Sequence, residues 1–246
     1  MGVRDTAAIM AIIENNLAQL HERIGRACRA AQRPQQSVQL LVVSKTFGAD
    51  AVRCALRAGE RRFGENYVQE GIDKIAELAD LREQIEWHLI GPLQSNKTRV
   101  VAEHFDWVHS VDRLKTAQRL NDQRPAHLAP LQVCLQVNIS GETSKSGLAV
   151  ADLAQVAHAV AALPRLSLRG LMAIPEPAAD FASQCAPHRA LHALLNELRS
   201  TGLALDTLSI GMSADLEAAI AEGATLVRVG TAIFGGRPAL VTPGRG

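Results

Sequence analysis

The chain has 246 residues, of which 47% are hydrophobic and 21% charged; that is the composition of a folded globular protein, and it excludes a disordered one. Twenty-six lysines and arginines against 25 aspartates and glutamates leave a net charge of +1, so no basic surplus points to nucleic acid or to an anionic membrane surface. No apolar run approaches the roughly 18 residues of a membrane span. The N-terminus carries acids and amides too early for a secretory segment, and the four cysteines form neither a C-x-x-C pair nor zinc-ligand spacing. A reduced, cytoplasmic protein without a metal site is expected.

Residues 6–32 read as one helix, because Ile9, Ile13, Leu17, Leu20, Ile24, Ala27 and Ala31 recur at spacings of three and four. Pro34 ends it. Q-L-L-V-V-S-K-T (39–46) is a short β-branched run, followed by a helical pattern over 51–58 that Gly59 closes. The alternation then repeats. Strands are expected at 61–67, 85–91, 107–111, 131–139, 167–174, 207–212 and 226–234, with helices at 68–80, 96–104, 113–123, 150–162, 182–201 and 214–222. With the first run there are eight strands, which in an α/β chain of this length argues for a closed (β/α)8 TIM barrel. The competing open, doubly wound sheet lacks its glycine-rich fingerprint after the first strand. After 234 the tail G-R-P-A-L-V-T-P-G-R-G (236–246) is too short and too rich in Pro and Gly for a last barrel helix. The N-terminal helix is expected to cover that flank. One domain is expected over 1–246, with 6–32 as the N-terminal helix and 39–237 as the barrel, in a monomeric protein.

Active sites of this fold form at the C-terminal ends of the strands, and Lys45 stands at that rim in V-V-S-K-T. A rim lysine is ordinarily a solvated charge. The alternative is a partly desolvated amine suited to Schiff-base chemistry. Loops after strands seven and eight form the recurrent phosphate site of the fold. Here they are S-I-G-M-S-A-D (209–215), in which Ser213 is a natural N-cap for the next helix, and V-R-V-G-T-A-I-F-G (227–235). Gly230 allows backbone approach, and Thr231 offers an N–H and a hydroxyl. Each piece alone is a routine turn. Together, a rim lysine and a phosphate cup without a Walker-type lysine suggest a phosphorylated aldehyde, pyridoxal 5′-phosphate. A barrel that binds some other phosphorylated metabolite, with Lys45 as a plain charge, is the rival.

Arg228 falls inside the eighth strand and needs a partner there. That partner is either a carboxylate such as Asp215 or a ligand acceptor. Glu65, Asn66 and Tyr67 are expected at the rim after strand two, and His88 within strand three, where a lone histidine is more often a satisfied core residue than a catalyst. His188 and His192, four apart on a helix, read as a solvated face. The polar loop V-N-I-S-G-E-T-S-K-S-G (137–147) is a lid, a ligand contact or a plain loop.

The segments V-V-S-K-T, F-G-E-N-Y, W-H-L-I-G-P-L-Q-S-N-K, H-S-V-D, V-N-I-S-G-E-T-S-K-S-G, S-I-G-M-S-A-D and V-R-V-G-T-A-I-F-G occur in this order over about residues 40–237. In this the chain resembles the YggS/PROSC-type pyridoxal phosphate homeostasis proteins. Their fold is similar to the barrel domain of alanine racemases, without the second, β-rich domain. The resemblance implies that Lys45 carries the cofactor as a Schiff base, that Ser213, Gly230 and Thr231 cup its phosphate, and that Arg228 faces the pyridine nitrogen. It places Asn66 and His88 near the ring and its O3′ edge. Ile210 departs from the methionine of many relatives, a volume-conserving change.

The resemblance also implies a role in vitamin B6 homeostasis, as a carrier whose partners include pyridoxal-phosphate-dependent apoenzymes, and no established enzyme activity. The chemistry agrees. An arginine donates to the ring nitrogen and stays charged, which weakens the electron sink that carbanion chemistry uses. A racemase needs a base on each face of its substrate, and Tyr67 is the one tyrosine of the chain. The alternative is an amino-acid racemase or related enzyme of low activity.

Overall fold

The computed structural model describes residues 3–141 and 146–235, with side chains from Ile9 onward. Eight strands close into a barrel in the order β1-β2-β3-β4-β5-β6-β7-β8, every pairing parallel. They are β1 (Gln39–Val43), β2 (Arg62–Glu65), β3 (Glu86–Leu89), β4 (Trp107–Val111), β5 (Leu131–Gln136), β6 (Leu166–Met172), β7 (Thr207–Ser209) and β8 (Leu226–Val229). The helices between them are α2 (Ala49–Arg57), α3 (Val68–Glu77), α4 (Thr98–His104), α5 (Leu114–Gln123), α6 (Val150–Ala161), α7 (Phe181–Ser200), α8 (Leu216–Ala221) and α9 (Thr231–Phe234), after the N-terminal α1 (Val3–Ala30). The eight-stranded barrel expected from the alternation is the fold observed.

Strand pleating assigns the faces. On β1, Leu40 and Val42 join the core shared with the surrounding helices. Leu41 and Val43 pack inside the barrel with Ile90 and Leu226. A second interior cluster holds Trp107, Cys134 and Met172. Between the two lies a layer that is not apolar: His88, His109, Ser209 and Arg228 are all buried.

α1 covers the flank that β8 and β1 leave open, packing on α2, α8 and α9. Its polar side chains anchor it there. Asn16 Nδ2 donates to the Ile233 carbonyl (2.9 Å), and Arg33 donates to the Ile220 and Ala224 carbonyls (2.7 and 2.8 Å) at the end of α8. The reading of the 236–246 tail lies outside the described residues.

Several boundaries differ from expectation. β1 stops at Val43, so Lys45 stands in a turn rather than on the strand. The eighth strand, expected to reach 234, ends at Val229, and Thr231–Phe234 is a helical turn. The reason is Gly230, which leaves the ladder and brings its Cα against β1: a Cβ there would lie 2.6 Å from the Val43 carbonyl oxygen. The close approach expected at Gly230 is thus made, at least in part, by the protein itself. The four cysteines are free and buried, and no helix among the described residues is long and apolar enough to cross a membrane.

Candidate functional site

At the C-terminal end of the barrel, a cavity of about 550 Å³ is lined by Lys45, Asn66, Arg228, Ser213, Gly230 and Thr231, with Val43, Phe47, Ile90, Ile174 and Met212 among its apolar walls. Six of the seven expected site residues therefore meet in one place, from β1, β2, β7 and β8. His88 is not among the lining residues. It sits deeper in the barrel, fully buried. A larger cleft of about 760 Å³ opens at the opposite, N-terminal end, among Arg61, Arg62, Arg82, Glu86, Asp106 and Arg124. Its arginines are committed: Arg82 to Asp106 and two carbonyls, Arg124 to three carbonyls, Arg61 to two and Arg62 to Glu86.

The turn that presents Lys45 is held from below. Phe47 N–H donates to the Ser44 carbonyl (3.1 Å), and Thr46 adopts φ 68°. That is the left-handed region, which costs a β-branched residue on the order of 1–3 kcal/mol and persists only where neighbours over-determine it. Here Glu70 accepts the Thr46 N–H at 2.5 Å. Lys74 rises beneath the turn and donates to the Ser44 carbonyl (2.6 Å), Glu65 (2.8 Å) and Glu70 (2.7 Å), which uses all three ammonium protons. The Ser44 hydroxyl donates to Glu65 at 2.5 Å. Glu65 was expected at the rim; it is instead fully buried in β2. Burial raises its carboxyl above the ordinary range, and the Lys74 ammonium and the Ser44 hydroxyl oppose that rise.

Across the cavity, Ser213 lies in the turn after β7. It is not the N-cap of α8, which is Asp215. Asp215 Oδ1 accepts the Met212 N–H (2.7 Å) and Oδ2 meets His188 Nε2 (2.9 Å), so the carboxylate closes the turn and ties it to α7. Burial would raise the Asp215 carboxyl, but the His188 ring and the Met212 N–H outweigh it and hold it below its ordinary value. His188 is therefore no solvated side chain; it is buried at 1% exposure. Gly211 starts this turn at φ 91°, where a Cβ would lie 2.5 Å from that of Ala219. Arg23 of α1 donates to the Ser213 carbonyl (2.9 Å) and pairs with Glu217, so the N-terminal helix also braces the turn.

Arg228 forms the floor of the cavity. Of the two partners considered for it, the carboxylate of Asp215 is not used, since that group is spent on Met212 and His188. Nη1 donates instead to the Ser209 carbonyl (2.6 Å) and hydroxyl (2.8 Å), and Nη2 to the Ala173 carbonyl (3.0 Å). Burial pushes the guanidinium down to about 10, with Asp215 opposing from a distance, so it stays charged at neutral pH. Asn66 Oδ1, in the cavity wall, is buried with no hydrogen-bond partner. Residues 142–145 of the polar loop lie outside the described residues; its start and end are joined by a Val137–Leu148 bridge.

The residues that sequence reasoning missed are those beneath the surface of the site: Glu70, Lys74, Ser209, His109 and Glu86. One signal was available. Lys74 falls beside Gly71 and Ile75 on the buried face of α3, a position that an unpaired lysine does not occupy.

The sequence model of the alanine racemase N-terminal domain matches residues 15–238. A pyridoxal phosphate homeostasis protein of Pseudomonas aeruginosa is 62% identical over 228 residues, 93% of this chain and 97% of that protein. The structure of PipY of Synechococcus elongatus PCC7942 with PLP bound is 42% identical and superposes with a TM-score of 0.79, over 90% of this chain and 99% of that one. An alanine racemase of Corynebacterium glutamicum shares the fold at 17% identity and a TM-score of 0.70, with 63% of its length covered.

Proposed function

Because the chain belongs to the family of pyridoxal phosphate homeostasis proteins, built on the alanine racemase N-terminal domain, we propose that it binds pyridoxal 5′-phosphate in the cavity at the C-terminal end of the barrel and serves the upkeep of that cofactor. One observation carries the assignment to this cavity. An amine (Lys45), a buried guanidinium (Arg228), an unpaired amide oxygen (Asn66) and two turns (213–214 and 230–231) converge from four distant segments on one space. Its volume is within the roughly 300–1,000 Å³ usual for small-molecule sites.

The residues fit the group. When bound, pyridoxal phosphate supplies an aldehyde that condenses with a primary amine and releases water, which gives Lys45 a covalent role. Ser213 and Thr231 offer hydroxyls, and Gly230 and Thr231 backbone N–H groups, to the phosphate. Arg228, clamped by Ser209 and Ala173, keeps its free donors for the ring nitrogen. Asn66 orients the ring. His88 has no direct part in this reading, since its ring lies beneath the floor.

A carrier fits the site better than a racemase. Among the described lining residues only Lys45 and Arg228 titrate, and a guanidinium that donates to three acceptors is no proton acceptor. Racemisation needs a second base on the far face. Tyr67 is exposed and outside the lining. The cofactor would pass to pyridoxal-phosphate-dependent apoenzymes, and the protein would act as a cytoplasmic monomer. The loaded protein should therefore exchange the α-proton of alanine in heavy water no faster than free cofactor does. Racemisation at ordinary enzymatic rates, on the order of 1–1,000 per second, would replace the carrier with an enzyme.

A further inference from the structure

The buried polar layer inside the barrel forms one continuous chain. Arg228 Nη1 meets the Ser209 hydroxyl at 2.8 Å, which meets His109 Nδ1 at 2.8 Å. His109 Nε2 meets His88 Nδ1 at 2.8 Å, and His88 Nε2 meets Glu86 at 2.9 Å. These links cross from β8 through β7 and β4 to β3, and so from the floor of the cofactor cavity to the cleft at the other end. The His88 ring is stacked on Trp107 (5.2 Å, 12°), so its plane is fixed as well. Of these five residues only Arg228 lines the proposed cofactor cavity, and Glu86 lines the opposite cleft.

The two ends dictate the polarity. A guanidinium can only donate and an ionised carboxylate can only accept. Glu86 is ionised: burial would raise its carboxyl, but His88 and Arg62 outweigh that and hold it below its ordinary value. His88 Nε2 must then carry the proton given to Glu86. Burial keeps both rings neutral; it lowers His88, and it lowers His109 far below the usual histidine range, with the Arg228 charge adding to it. A neutral His88 accepts at Nδ1 from His109 Nε2–H. A neutral His109 accepts at Nδ1 from the Ser209 hydroxyl. With its proton given away, that hydroxyl turns a lone pair to Arg228. Four bonds thus use four protons in one direction.

We infer that Glu86, at the far end of the barrel, is a positioning residue for the cofactor site, acting through His88, His109 and Ser209 to hold the Arg228 guanidinium in register with the ligand's ring nitrogen. The inference rests on the reading in which Arg228 faces that nitrogen. Without Glu86, His88 is free to exchange tautomers. His109 and the Ser209 hydroxyl then follow, and Arg228 loses a fixed acceptor.

Nitrogen-15 NMR of histidine and arginine side chains tests this at neutral pH. In the wild type, cofactor-free or loaded, both His88 and His109 should be the Nε2–H tautomer, with sharp Arg228 guanidinium resonances. Glu86→Leu should mix the tautomers, broaden Arg228 and weaken pyridoxal phosphate binding roughly tenfold, the scale of one charged hydrogen bond. Glu86→Gln keeps an acceptor and should restore wild-type spectra and affinity. Ser209→Ala breaks the same chain from the other end and supplies the result if Glu86→Leu does not fold. An Nδ1–H tautomer at either ring, or unchanged affinity and sharp Arg228 signals in a folded Glu86→Leu, would overturn the inference. The tautomers are read without ligand, so failure of pyridoxal phosphate to bind the wild type would count against the cofactor reading alone.

Discussion

Lys74 does not line the cavity, yet the backbone of Ser44 rests on its ammonium and Glu65 depends on it for charge. Lys74→Met would leave Glu65 buried without a counter-ion, a loss of about 3–5 kcal/mol. Urea denaturation should show that loss, and adding Glu65→Leu should recover most of it, because removing both charges spares the desolvation. A loss under about 1 kcal/mol would mean that the Lys45 turn does not rest on this pair. Ser213 makes a different kind of contribution. It lines the cavity, so if it holds the phosphate as proposed, Ser213→Ala should weaken pyridoxal phosphate binding by roughly 1.5–3 kcal/mol and leave pyridoxal, which lacks the phosphate, unaffected. Equal weakening of both ligands would show that Ser213 works through the fold. Lys45, Ser213 and Arg228 were legible because their strands end where barrel chemistry collects. Lys74 could be suspected only from its place on the apolar face of α3, and Glu70 not at all, because a helical Glu-Lys pair four apart reads as a solvated face until β1 is seen lying over it.

Among the elements, α1 stands where a barrel helix following β8 would, and its contacts reach both the fold and the site. It meets the segment before β2 through His21, whose Nε2 lies 2.5 Å from Glu60. The hydrogen bond to Glu60 raises the His21 ring above its ordinary 6.5, against the lowering effect of burial. A raised value in the folded state means that the pair stabilises fully below pH 6.5 and fades as pH climbs through the raised value. The ring is about half exposed, so the gain should stay under about 1 kcal/mol. His21→Gln should therefore be slightly less stable than wild type at pH 6 and match it by pH 9, and a gap that widens with pH would contradict the assignment. The eight strands were readable from their β-branched runs, but their ends were not. Lys45 and Asn66 leave the ladder because turns at the rim point them at the cavity. β8 ends early because Gly230 must pass the Val43 carbonyl, a contact between opposite ends of the chain.

At the scale of the whole molecule, the barrel serves as a frame with two different interiors. One is the apolar pair of clusters, Leu41–Val43–Ile90–Leu226 and Trp107–Cys134–Met172. The other is the polar chain that passes between them. Its five members come from four strands far apart in sequence, Glu86 and His88 from β3 and one residue each from β4, β7 and β8, so nothing local in the sequence links Glu86 to Arg228; only barrel closure brings β3 and β4 into line with β7 and β8. The central claim is that this frame delivers one amine to a bound aldehyde. Its most direct test is borohydride reduction of the protein with pyridoxal phosphate, followed by proteolysis and mass mapping. The pyridoxyl group should be found on the peptide that carries Lys45, and Lys45→Ala should abolish it. An adduct on Lys97 or Lys145 with Lys45 unmodified would contradict the account.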